Sequence, residues 1–188
     1  MDDHWWPGAR EDLAAGEPDR ANRTIDAVSD RDIADRLALA DAHLDDLIEL
    51  YRSAEDGYVR QSVIRVIEPL VPDIVGVVAM DRVGIDRDTI ESITDDCAAF
   101  LLVAITDDDG RVRRAAIRGV KHVARTYDGL EDDSAIEALV EELDREAESA
   151  DADVREHIHR AREDVRVVTR SGIARMIEGF QEELGERL

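Results

Sequence analysis

A short motif, Asp-x-x-Val-Arg, recurs three times, as Asp56-Gly57-Tyr58-Val59-Arg60, Asp109-Gly110-Arg111-Val112-Arg113 and Asp151-Ala152-Asp153-Val154-Arg155. Each copy follows a stretch with helical apolar spacing (Leu44 to Ser53, Cys97 to Thr106, Ile136 to Ala147) and opens another such stretch. Apolar residues then recur at matched offsets: Val63, Val66 and Ile67; Ala116, Gly119 and Val120; Ile158 and Ala161. The pattern reads as a helix pair whose second helix begins with a buried valine, the Asp accepting free amides at its start. Burying each valine stabilises the fold by about 1.5–3 kcal/mol. One pair cannot cover its own apolar face, so neighbouring pairs must stack. Small residues at Ala116, Gly119 and Ala161 let paired helices approach closely.

The rest of the chain agrees. Leu37, Leu44, Leu47, Ile48 and Tyr51 follow helical steps, as do Ile136, Leu139, Val140 and Leu143, and no useful alternating run argues for a sheet. Breakers separate the helical stretches: Gly16 with Pro18, Asp56-Gly57, Pro69 and Pro72, Gly84, Asp109-Gly110, Asp128-Gly129 and Ser149 to Asp153. In the Asp-Gly pairs the glycine is expected to end one helix and the aspartate to begin the next. The expected fold is all-α, a short α-solenoid of stacked antiparallel helix pairs.

In these residues the chain resembles a HEAT-repeat protein, whose linker and second helix follow roughly Asp-x-Asp-x-x-Val-Arg-x-x-Ala-x-x-Ala-Leu. The middle copy matches best, with Asp107, Asp109, Val112, Arg113, Ala116, Gly119 and Val120 on pattern positions. The resemblance implies a scaffold role for Val59, Arg60, Val112, Arg113, Val154 and Arg155. It also implies that the Asp six residues before the Arg pairs with arginines between repeats. Only Asp107 keeps that place, since Ala54 and Ser149 stand in the other copies, and Arg162 replaces a preferred Leu in the third. The copies lie 53 and 42 residues apart; the second spacing suits a HEAT unit, while the first needs extra chain that Asp73 to Asp88 supplies. The expected division of the single domain is an N-terminal helical cap over 1–36, repeats over 37–168 and a C-terminal capping helix over 169–188. That last helix carries Ile173, Ile177, Phe180 and Leu184 at helical spacing.

Charge is the compositional outlier. The 188 residues carry 46 acids against 24 basic residues, a net charge of −22, and Lys121 is the only lysine. Such an acidic, lysine-poor chain resembles the proteins of salt-accumulating archaea, so the charge is expected to report the solvent. It disfavours a general nucleic-acid coat or an anionic-membrane binder. One cysteine, Cys97, excludes an internal disulfide and sits in an apolar run that marks it as buried. That run is too short to span a membrane, and the first residues lack an apolar signal core, so a cytoplasmic protein is expected.

Signals of catalysis are sparse. No glycine-rich phosphate loop and no nucleophile elbow surround the serines, and acid pairs are unavoidable at this density. His157 and His159, two apart, leave a helix on different faces, and His4, His43 and His122 are isolated, so no metal or cofactor is expected. The resemblance extends to HEAT-like DNA glycosylases and bilin lyases, but no constellation here supports an enzyme. Trp5-Trp6 reads either as a packing cap or as a partner anchor.

Residues 111–127 sum to +6 without a single acid, the one exception in an acidic chain. Arg111, Arg114, Arg118, Lys121 and Arg125 step by three and four along one helix face. Arg155, His159, Arg162, Arg166 and Arg170 do the same in the third repeat. In HEAT-like stacks second helices lie side by side on the concave surface, so the stripes would form a positive groove. Alternatively, they neutralise acids such as Glu137, Glu141, Glu142 and Asp144. A functional groove implies an anionic ligand, because the planar guanidinium pairs bidentately with carboxylate or phosphate. The expected function is a non-enzymatic interaction module adapted to high salt that binds a protein partner, an acidic segment for example; nucleic-acid binding is the alternative.

Overall fold

The computed structural model describes residues 5–72 and 84–185, with side chains through residue 168. Eight α-helices run through them: α1 (Trp5–Ala14), α2 (Pro18–Ser29), α3 (Ile33–Ser53), α4 (Gly57–Ile67), α5 (Arg87–Ala104), α6 (Gly110–Gly129), α7 (Asp133–Ser149) and α8 (Ala152–Gly185). A 3-10 turn over Glu68–Leu70 follows α4, and no strand occurs among the described residues.

Aspartates begin several helices by satisfying first-turn amides. Asp32 accepts from the Asp35 N–H at 2.9 Å, Asp56 from Tyr58 at 2.8 Å, Asp109 from Arg111 at 2.7 Å and Asp132 from Ala135 at 3.0 Å. The glycines of the Asp-Gly pairs do not end the preceding helices; Gly57 and Gly110 are the first residues of α4 and α6. Gly57 has a packing reason to be glycine, since a Cβ there would lie 2.0 Å from the Asp109 carboxylate of the next linker. Gly129 does not stop α6 either. The left-handed residue is Glu131 (φ 57°), and the amides of Glu131 and Asp132 cap the carbonyls of Asp128 and Tyr127 in a Schellman arrangement.

Consecutive helices pack as pairs, α1 with α2, α3 with α4, α5 with α6 and α7 with α8. The second helices α2, α4, α6 and α8 lie side by side in one layer, and the first helices α1, α3, α5 and α7 form the other. The chain is therefore an all-α stack of helix pairs, and the residues expected to cap it at the N-terminus form a pair of their own. Gly119 lets α6 close on α5, because a Cβ there would lie 2.7 Å from a Leu101 methyl. Val59 and Val112 are buried as the repeat pattern predicts, whereas Val154 is only partly covered, with no helix after α8 among the described residues to pack on it.

The motif arginines tie off their own linkers. Arg60 donates to the carbonyls of Ala54 and Glu55 at 3.1 and 3.0 Å, Arg113 to those of Asp107 and Asp108 at 2.7 and 3.0 Å, and Arg155 to those of Ala147 and Ala150 at 2.9 and 2.7 Å. Arg155 thereby satisfies carbonyls at the end of α7, whereas the Arg113 acceptors and Glu55 belong to the linkers themselves. Asp107 adds the link between repeats, accepting from Arg60 Nε and Nη2 at 2.8 and 3.0 Å.

Trp5 and Trp6 are both half-buried against α3, with ring centroids 5.8 and 5.7 Å from His43. Cys97 is buried, and desolvation pushes its thiol up to about 12, far from a nucleophile's range. His4, residues 73–83 of the Asp73–Asp88 stretch, and the side chains of Arg170, Ile173, Ile177, Phe180 and Leu184 lie outside the described residues. Among the described residues no helix is long and apolar enough to cross a membrane.

Candidate interaction surface

Helix α6 is central in the second-helix layer, between α4 and α8. Val112, Ala116, Val120, Val123 and Ala124 turn inward, which leaves Arg111, Arg114, Arg118 and Arg125 exposed and Lys121 half-buried along the opposite stripe. The helix thus presents one continuous basic edge, as the three- and four-residue steps require.

Part of that edge is neutralised within the molecule. Arg111 grips its own N-cap, with Nη2 2.6 Å from Asp109, whose carboxyl falls to about 2 through this hydrogen bond and the Arg111 amide. Lys121 reaches Asp164 of α8 at 3.5 Å. Arg118 lies 4.0 Å from Glu68, the limit of an ion pair, and its Nη1 meets only the Arg114 carbonyl. Arg114 and Arg125 have no carboxylate partner among the described residues.

The α8 stripe does not join this edge. Arg155 bonds the Ala147 carbonyl and Arg162 pairs with Asp144 at 2.8 Å, so both turn to α7. Arg166 pairs with Glu163 on its own helix, and His159 is exposed. Of the acids expected to compensate the stripes, Asp144 does so for Arg162, while Glu142 pairs with Arg145. The reason lies in the repeat register. Superposing the motifs places Asp153, Glu156, Arg160 and Glu163 at the positions of Arg111, Arg114, Arg118 and Lys121. Arg155 matches Arg113, the linker tie, and not a member of the α6 stripe. The sequence contained this signal, and stepping by three and four from Arg155 overlooks it.

The same register exposes a residue that sequence reasoning left aside. His157 is half-buried at the α6–α8 junction, and its Nδ1 is buried without a hydrogen-bond partner. Burial, then Arg113, Arg160 and Arg114, hold its imidazole below the ordinary histidine range, against a smaller opposing pull from Glu156. A neutral histidine among three arginines marks locally positive potential in an acidic chain. At the same junction Arg113 Nε is buried and unpartnered, where Ser149 replaces the aspartate that would have answered it.

Among the described residues no group of three or more His, Cys, Asp or Glu side chains is placed to hold a metal ion. Comparison of the chain with protein-family models, with curated proteins and with solved structures finds no match.

Proposed function

We propose that this chain is a non-enzymatic, HEAT-like interaction module of the cytoplasm that holds an acidic segment of a partner protein on the exposed edge of α6. The observation that carries the reading is the pair Arg114 and Arg125, exposed guanidiniums without a carboxylate partner among the described residues in a chain with 46 acids. Arg10, Arg23 and Arg52 are exposed without such a partner as well, but Arg114 and Arg125 share one acid-free helix edge, and their guanidinium forks are suited to carboxylates.

The flanks favour a short segment over a nucleic-acid backbone. Glu68 borders the edge on the α4 side, and exposed Asp153, Glu156 and Glu163 follow the equivalent line on α8. A long polyanion laid across the second helices would meet these acids, whereas a peptide running along α6 would not.

The test is affinity capture from concentrated-salt extract with the full chain and with its R114E/R125E variant, followed by identification of the bound proteins. Recovery of the same acidic-segment proteins by both would end the proposal; their loss from the variant, with unchanged helicity, is the expected result. A DNA titration in parallel separates the alternative, because backbone-driven affinity would fall steeply with salt.

A further inference from the structure

The first-helix layer carries a surface of opposite character. Helices α5 and α7 touch least among neighbouring first helices and leave a groove of about 400 Å³ between them. Its floor is small and apolar, with Ala98, Ala99, Ala138 and Leu139, and Val103 stands on its lip 63% exposed. Only one other large hydrophobic side chain among the described residues is as openly placed, Val167 on α8. The polar rim is acidic: Asp95, which accepts from Tyr127 Oη at 2.7 Å, Glu142, held by Arg145, and Glu146, which has no ion-pair partner among the described residues. No basic residue lines the groove.

We infer that this groove seats an amphipathic α-helix of a partner protein, with its apolar stripe between α5 and α7 and its Lys or Arg residues against Asp95, Glu142 and Glu146. A helix offers an apolar row at i, i+3, i+4 and i+7 that fits a narrow apolar trough. The alanines let the incoming backbone approach closely, as small residues do wherever helices pack tightly. The volume lies within the range of formed binding clefts. Charge selects the occupant. A second copy of this chain carries net −22, and its longest acid-free stretch, 111–127, turns its apolar residues into its own core; the shorter acid-free stretch 165–177 makes self-association an outcome to be measured. A basic helix answers the rim; an acidic one does not.

The probe is a labelled synthetic helix of about 18 residues, roughly 27 Å long, with a leucine stripe flanked by lysines, compared with a counterpart carrying glutamate for each lysine. Fluorescence anisotropy against the full chain is measured at the lowest salt that keeps it folded. The lysine peptide binds about tenfold or more tightly than the glutamate peptide, in line with several rim charges acting together. Val103→Arg, at an exposed position that leaves folding intact, lowers that affinity about tenfold, and E142Q/E146Q flattens its salt dependence. R114E/R125E, on the other layer, leaves it unchanged, which separates this site from the α6 edge. Equal binding of the two peptides, no binding by folded protein, or no effect of Val103→Arg would each overturn the assignment. So would self-association that Val103→Arg abolishes, since the groove would then close on a second copy.

Discussion

Arg60 of α4 and Asp107, before α6, form a two-pronged ion pair that joins adjacent helix pairs across 47 positions of sequence, at 2.8 and 3.0 Å. Tyr51 Oη completes the site by donating to Asp107 at 2.6 Å, and the Tyr51 ring meets Phe100 edge-on. The side chains are 14% and 7% exposed, so the pair is largely withdrawn from water. Burial alone would raise the Asp107 carboxyl, but hydrogen bonds from Arg60, Tyr51 and the Asp109 amide outweigh it and hold the group below the usual carboxylate range.

Without Asp107, Arg60 keeps its ion pair to exposed Asp108 at 2.5 Å and its bonds to the Ala54 and Glu55 carbonyls, while Tyr51 Oη loses its acceptor. Asp107→Ala is therefore expected to cost about 1.5–3 kcal/mol, the range for hydrogen bonds to a charged group. Denaturant unfolding measures it. The pH dependence has a definite sign: a carboxyl with a depressed folded pKa stabilises above its unfolded value, about 3.9, and that stability is lost as pH falls through the folded pKa. Asp107→Asn therefore flattens the acid limb of the stability curve, and an unchanged limb would remove this pair from the account.

The turn from α6 to α7 holds Glu131 at φ 57°, a conformation that costs a residue with a Cβ about 1 kcal/mol. Glu131→Gly relieves it while the Schellman bonds remain, so thermal unfolding should shift upward by the equivalent of about 1 kcal/mol. A downward shift would mean that the Glu131 side chain contributes more than its backbone strain.

Gly119 behaves in the opposite way. A valine there drives its Cβ into the methyls of fully buried Leu101, and overpacking of this kind costs about 1–3 kcal/mol. Gly119→Val is expected to destabilise despite the gain in helix propensity, as denaturant midpoints would report.

The repeat was legible because its determinants are local. Val112, Gly119 and Asp107 each announce their role through spacing within one linker and one helix, and the structure buries the first, crowds the second against Leu101 and pairs the third with Arg60. The surface was less legible because a charged side chain's partner depends on rotation about the helix axis and on the neighbouring helix. Arg155 and Arg118 look alike as members of stripes, yet one bonds the Ala147 carbonyl and the other faces outward near Glu68. The groove between α5 and α7 left almost no local trace. Ala99 and Ala138 are unremarkable alone, and only their meeting across two first helices makes a trough.

His157 supplies a pH signature for the α6–α8 junction. Its folded pKa lies below the ordinary value near 6.5, so the unfolded state takes up the proton first as pH falls. Stability is full above that value and declines through the window below it. His157→Gln should remove this decline between neutral pH and the onset of carboxylate protonation. An acidic peptide bound at Arg114 offsets the positive potential and raises the imidazole pKa, which a histidine NMR titration with and without peptide would detect. An unmoved resonance would place the peptide elsewhere.

Salt acts on two opposed sets of charges. The partly exposed pairs Arg118–Glu68, Lys121–Asp164 and Arg162–Asp144 each contribute only about 0–1 kcal/mol, and salt weakens them. Against them stands the mutual repulsion of a chain with net −22. The screening length falls from about 10 Å at 0.1 M to about 3 Å at 1 M, so repulsion between exposed acids farther apart than that is largely removed. Repulsion has many more members than attraction, so screening stabilises the compact state on balance. The unfolding temperature followed by circular dichroism should therefore climb from about 0.1 M to about 1 M KCl. The loss caused by Asp107→Ala should stay nearly constant across that range, because the Arg60 pair is withdrawn from the screening ions. A flat or falling unfolding temperature would mean that the surface pairs outweigh the repulsion, and the acidic composition would then need a cause other than the solvent.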